Sequence, residues 1–253
     1  MDLKLGRNPS APGAVKLKFA DYADVSTILP KIPRVFGHQT AVSSWSMLGN
    51  DQYGDCVWAG AAHEHMVWNA ANKRAVSFTD ADVLASYTDV TGFDSSDPNS
   101  DQGTDMATAA DYRLKTGILS SDGQRHKIGA YLALEPGNVD ELLAAAYLFG
   151  AVGIGITVTS IAMWQFQNNH PWTFRSGGTV EGGHYVPVVG RKGLVINSVS
   201  WGRIQPMSPA FYQKQSDEAL AYVSDDDLIA DKSPEGFDRA TLLSDLKTVS
   251  TLK

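Results

Sequence analysis

One cysteine occurs in the chain, Cys56, directly after Gly54-Asp55 and directly before Val57-Trp58-Ala59-Gly60-Ala61-Ala62-His63. That run of small and apolar residues predicts a buried helix with Cys56 at its N-terminus. Unpaired backbone N–H groups and the positive end of the helix dipole favour an anion there, and so favour the nucleophilic thiolate. The competing reading is a buried cysteine acting as a small hydrophobe. A thiolate nucleophile needs a base to carry its proton, and the base needs a third group to fix its tautomer. The run from Gly182-Gly183-His184 to Gly190 offers His184, with glycines that let another backbone or a substrate approach and an apolar strand behind them. The run 194–202 offers Asn197, thirteen residues after His184. A turn over 190–193 predicts that Asn197 meets the imidazole edge from the neighbouring antiparallel strand, with Trp201 as a roof.

In this order, Cys56 with Trp58-Ala59, Gly183-His184, and Asn197-Ser198 with Trp201-Gly202 resemble the motifs of the papain family of cysteine peptidases. The last carries a two-residue insertion, Val199-Ser200. Between them, 103–118 resembles the family's substrate-backbone glycine and following helix, and 139–158 its entry into the second lobe. The resemblance covers 48–223 and implies an α+β fold of two lobes with the active site at the seam. The expected divisions are an N-terminal arm (1–40), a helical lobe with the nucleophile (41–149), an antiparallel β lobe with His184 and Asn197 (150–225), and a C-terminal helical extension (226–253). It also implies acyl transfer through a thioester by a peptidase or amidase acting on a peptide or protein substrate. Gly103, Gly183 and Trp201 are then expected to contact substrate. Transfer to an amine acceptor would use the same residues. The family places an oxyanion-binding glutamine six residues before the nucleophile, where this chain has Asn50, while Gln52 stands four before. Either amide can serve with the Cys56 N–H. The alternative is an inactive papain-like structural or binding component of a viral particle or protein assembly, since the chain also resembles papain-like proteins of bacteria and their phages.

Composition bounds the remaining readings. With 253 residues, 43% of them hydrophobic, the chain can bury one large core or two modest ones. A formal charge of −7 and scattered basic residues argue against nucleic acid or an anionic membrane as partner. The lone cysteine rules out an internal disulfide and fits a reducing compartment. With neither a signal peptide nor a membrane span in the sequence, the expected location is cytoplasmic or virion-associated. No cofactor and no metal is expected: His63 and His65 flank Glu64 at i and i+2, on different helix faces.

The elements that must position these residues follow from local signals. Four prolines in 1–40 predict an irregular strap packed along both lobes. Helices are expected over 57–72, over 80–90 behind a Thr79 cap, over 103–117, and over 139–149 between the Asn138 cap and Gly150. Shorter ones are expected at 161–167, 208–213 and 237–246. Asp55 is expected to cap the helix of Cys56. His126 and His170 are read as surface residues, and Trp172 and Phe174 as packing under the β lobe.

Overall fold

In the segment Val152-Gly153-Ile154-Gly155-Ile156 an apolar residue alternates with glycine, so one face of a strand can enter a core while the other admits large neighbours. The computed structural model, which describes residues 3–224 with Asp226 and Asp227, bears this out. The strand, β7 (Val152–Thr159), lies within an antiparallel sheet of seven strands. Its neighbours are β8 (Val180–Lys192) and β11 (Ser216–Ser224). Beyond β8 come β9 (Val195–Ser200) and β10 (Arg203–Met207), and beyond β11 comes β6 (Ile128–Ala133). A short β2 (Val35–Gly37) pairs with the far end of β8.

Two cores flank this sheet. On one face, α5 (Val139–Phe149) packs Leu142, Ala145, Ala146 and Phe149 against Val152, Ile154, Val186 and Val188. Asn138 caps α5 through the Asp140 and Glu141 amides, and Gly150 closes it in the left-handed region. The helices α6 (Ser160–Gln167) and α7 (Pro209–Gln215) add Phe166 and Phe211 to the same core. On the other face, α2 (Cys56–Ala71), α3 (Asp80–Thr91) and α4 (Met106–Lys115) pack against Tyr185, Val189, Leu220 and Tyr222. A reciprocal Thr79–Asp82 capping box starts α3, and Asp105 caps α4. Two short strands, β4 (Ile118–Leu119) and β5 (Arg125–His126), pair beside them.

The boundary expected at residue 150 sits too late. Strand β6 joins the main sheet and α5 packs on it, because the apolar stripe of α5 finds its partners in β7 and β8. The helical core proper comprises α2, α3 and α4. Of the two aromatics expected under the β lobe, Trp172 is fully buried and Phe174 is exposed. The helix expected over 237–246 lies outside the described residues.

The arm wraps both cores. Its first strand, β1 (Arg7–Asn8), runs parallel to β3 (Thr104–Asp105). Phe19 is then buried edge-on against Phe149, α1 (Val25–Ile28) forms one turn behind an Asp24 cap, and β2 docks on the sheet. Arm residues pack into both cores, Phe19 and Leu17 in one and Val15 in the other, and β1 crosses the seam between them.

Candidate active site

Cys56 is the first residue of α2 and only 1% exposed. Asp55 takes the N-cap position, but its carboxylate makes no capping bond; both oxygens are buried without a partner among the described residues. This corrects the expected capping role. From the sheet side, β8 delivers His184, also 1% exposed. Cys56 and His184 line one small cavity of about 10 Å³ together with Asn50, His63, Ser200 and Trp201. The Trp201 indole lies flat on the imidazole, with ring centroids 4.0 Å apart at 12°. Ser200 Oγ stands 3.0 Å from His184 Nε2, and Nδ1 has no partner among the described residues. A proton on Nε2 donated to Ser200 leaves the Nδ1 lone pair free to accept one.

Two of the four described non-glycine residues at positive φ stand at or near this cavity. Leu48, two residues before Asn50, has φ +58°, and Trp201 has φ +42°. Side chains seldom adopt such angles, and the surrounding packing must hold them there.

The arm covers the cavity with backbone. Thr104 N–H donates to Gly6 C=O at 2.8 Å, and Trp201 Nε1–H donates to Lys4 C=O at 3.2 Å. The approach at Gly6 is close enough that a Cβ there would fall 1.9 Å from the Gly54 carbonyl oxygen. At Gly183 a Cβ would lie 2.2 Å from the Arg7 carbonyl oxygen, so the pair of glycines before His184 is what lets a chain lie here. Arg7 itself is buried, with Nη2 2.6 Å from both oxygens of Asp217 and Nη1 3.5 Å from Glu218.

Covered in this way, the pair is uncharged. Burial pushes the Cys56 thiol up to about 12, against the smaller opposing effect of backbone N–H groups of Tyr185 and Gly6. Burial, with the Arg7 charge nearby, brings His184 down to about 3. Burial also raises Asp55 well above the usual carboxylate range. The thiolate expected from the helix dipole alone is thus not the state of the arm-covered site: loss of water outweighs the dipole.

No protein-family model matches the sequence, and no curated protein matches it. Solved structures do. Xylellain, a cysteine protease from Xylella fastidiosa, superposes with a TM-score of 0.67 at 15% identity, over 88% of this chain and 96% of its own. The fold is papain-like. Procathepsin B from Trypanosoma congolense aligns at TM-score 0.61 and 12% identity, over 87% of this chain and 86% of its own. A cysteine protease from Carica candamarcensis, in complex with E-64, aligns at 0.56 and 15%, over 76% and 99%.

Within this papain-like frame the candidates from sequence separate. Cys56, His184, Asn50 and Trp201 meet at one cavity. Gln52 is exposed on the loop and does not line it. Asn50 is buried, with its amide donating to Tyr53 C=O at 3.1 Å. Asn197 is not placed on His184: it pairs with Gly190 on β8 and Pro206 on β10. Six residues of extended strand separate Gly190 from His184, about 20 Å. The hairpin turns later than expected, at Gly193-Leu194 between the Lys192–Val195 pair, which brings Ser200 to the imidazole instead. Gly103 spends its N–H on Tyr87 Oη at 2.8 Å, so the amide that holds an extended chain is that of Thr104. Ser200, Thr104 and Tyr185 were not singled out from sequence. Only Ser200 carried a signal, its place directly before Trp201-Gly202. His126 is half-buried with both ring nitrogens engaged, whereas His170 is exposed and stacked on Trp164.

Proposed function

We propose that the chain is a papain-like cysteine peptidase or amidase, with Cys56 as nucleophile, His184 as base and Ser200 as the group that orients the imidazole. The observation that carries this reading is the meeting of Cys56, at the start of α2, with His184 in one small cavity at the seam. Proton transfer from the thiol to Nδ1 would create the attacking thiolate, and the same proton would go to the leaving group. The Cys56 N–H and the Asn50 amide are the candidate oxyanion donors, the second after turning from Tyr53. An extended peptide substrate would take the groups the arm now holds: Thr104 N–H, the surface over Gly183, and the Trp201 indole. Asp217 and Glu218, on which Arg7 is seated, would receive a basic side chain of that substrate. Since the arm occupies these groups, turnover requires its displacement.

A quenched fluorescent peptide library containing arginine, offered to the full chain and to a Gly6→Ala chain, tests this. Cleavage that is stronger in Gly6→Ala and lost in Cys56→Ala is the expected result. No cleavage by either chain would favour the second reading, a papain-like binding or structural component of a particle or assembly. The uncharged, covered thiol is the observation on its side. A cytoplasmic or virion-associated location fits either reading; no described helix is long and apolar enough to cross a membrane.

A further inference from the structure

Away from the Cys56 cavity, three ligand-type atoms converge. His65 Nδ1, from the interior of α2, and His126 Nδ1, from β5, each stand 2.7 Å from the same oxygen of Asp226, in the turn after β11. All three lie within 4.8 Å of one another. His65 is fully buried, and His126 and Asp226 are largely so. Asp226 is held from behind, since Asn72 Nδ2 donates to its carbonyl oxygen at 2.7 Å.

The hydrogen bonds around His126 decide which nitrogen faces inward. Ser120 Oγ is 2.6 Å from an oxygen of Asp122 and 2.9 Å from His126 Nε2. A hydroxyl has one proton, and a carboxylate only accepts it, so the Ser120 proton goes to Asp122 and His126 Nε2–H donates to Ser120 Oγ. With Nε2–H committed to Ser120, Nδ1 meets the Asp226 carboxylate either through a second ring proton or, once that proton is displaced, as a lone pair that a metal cation can share with the carboxylate. A histidine ligand whose outer N–H is held in this way is the usual second shell of a metal ion.

The geometry points to a binding site for a divalent transition-metal ion of the zinc class, held by His65 Nδ1, His126 Nδ1 and Asp226 between α2, β5 and the turn after β11. Two imidazoles and a carboxylate suit zinc, and a solvent molecule would complete its four positions. Ligand atoms of a tetrahedral zinc site lie about 3.3 Å apart, so each imidazole nitrogen would move about half an ångström away from the Asp226 oxygen, and the two nitrogens, now within 4.8 Å of each other, would settle to that same spacing. Arg113 disfavours positive charge at His65, an effect that its pairing with Glu64 at 2.6 Å offsets in part and that the Asp226 carboxylate opposes. The site would tie the exit of the last strand to the nucleophile helix, independently of whether Cys56 is catalytic.

The test uses the full chain carrying Cys56→Ser, so that no thiolate competes for metal. Calorimetric titration with Zn²⁺ is expected to give one site per chain with a Kd below about 1 μM, weakened at least 100-fold by His126→Gln and by Asp226→Asn. Co²⁺ in place of Zn²⁺ should give intense visible bands of a tetrahedral site, absent from both variants. Circular dichroism checks that each variant remains folded. Absence of saturable Zn²⁺ binding in the parent, or binding as tight in folded His126→Gln and Asp226→Asn as in the parent, would overturn the proposal.

Discussion

Among the groups that helix α2 buries, Cys56 at its start and Glu64 eight residues on are treated in opposite ways. Glu64 is saturated: Arg113 Nη2 binds one oxygen at 2.6 Å, the Tyr185 hydroxyl donates to the other, and the guanidinium lies 4.2 Å over the Tyr222 ring. Around Cys56 the groups are left wanting, with His184 Nδ1 and both Asp55 oxygens unpartnered among the described residues. Both regions are equally dry, so burial does not separate them; partnering does. A buried ion pair whose carboxylate is bonded at both oxygens is scaffold, even with Arg113 Nε left unpartnered among the described residues, whereas a buried base without a proton partner is held ready for one that arrives. Tyr185 joins the two, with its backbone N–H on the Cys56 sulfur and its hydroxyl on Glu64.

The largest effect should come from removing the reacting pair. Cys56→Ala should abolish peptide turnover, and His184→Ala should lower kcat/KM by at least about 10³-fold, with melting temperatures close to the parent. A His184→Ala chain that retains more than a tenth of parental turnover would place the base elsewhere.

Breaking the saturated region should do the reverse. Arg113→Met leaves Glu64 as an unpaired buried charge, a loss of about 3–5 kcal/mol, seen as a fall of roughly 10 °C in melting temperature. Below that temperature iodoacetamide should reach Cys56 at the parental rate. If that rate instead rises or falls tenfold while the chain is folded, the Glu64 cluster acts on the site and the division drawn above is wrong.

Smaller again is the effect of lifting the arm. With the thiol raised to about 12, only about one molecule in 10⁵ is thiolate at pH 7, and alkylation should gain tenfold per pH unit above that. Because the neutral form is favoured below the raised pKa, the parent is least reactive in acid and most reactive in strong base. Gly6→Ala forces the arm off the Gly54 carbonyl and rehydrates the thiol. Its profile should shift to lower pH, with alkylation at pH 7 faster by about 10- to 100-fold. Coincident profiles for the two chains would mean that the arm does not control access.

What the sequence revealed of this arrangement follows from what each residue does. Cys56, His184 and Trp201 announce themselves because side-chain chemistry and neighbouring glycines are written in residue types. The helices behind Thr79 and Asn138 were legible for the same reason, since capping is a side-chain property. The position of β1 was not, because Gly6 and Thr104 meet through backbone groups that every residue possesses. Nor was the neutral state of the thiol, which depends on the water that the arm excludes. His126 was read as a surface residue because its partners, Ser120 and Asp226, lie 6 and 100 residues away and nothing local shows that they enclose it.

The smallest expected effect concerns the third group of the site, where sequence and structure part. Counting across a turn at 190–193 put Asn197 opposite Val186, within reach of His184; a turn two residues later, with a bulge between Val188 and Gly190, puts Asn197 opposite Gly190, close to the turn and away from the imidazole. A strand residue cannot be in both places, and among the described residues Ser200 is the one within hydrogen-bond distance of Nε2. Ser200→Ala removes the acceptor that holds the proton on Nε2, so the imidazole samples the wrong tautomer and kcat should fall about tenfold, or about 1.4 kcal/mol, with KM little changed. Asn197→Ala should stay within about twofold of the parent, since its neighbours are strand backbone rather than the imidazole. Equal losses in the two variants would mean that β9 shifts register when a substrate replaces the arm, and the asparagine would regain the role its motif suggests.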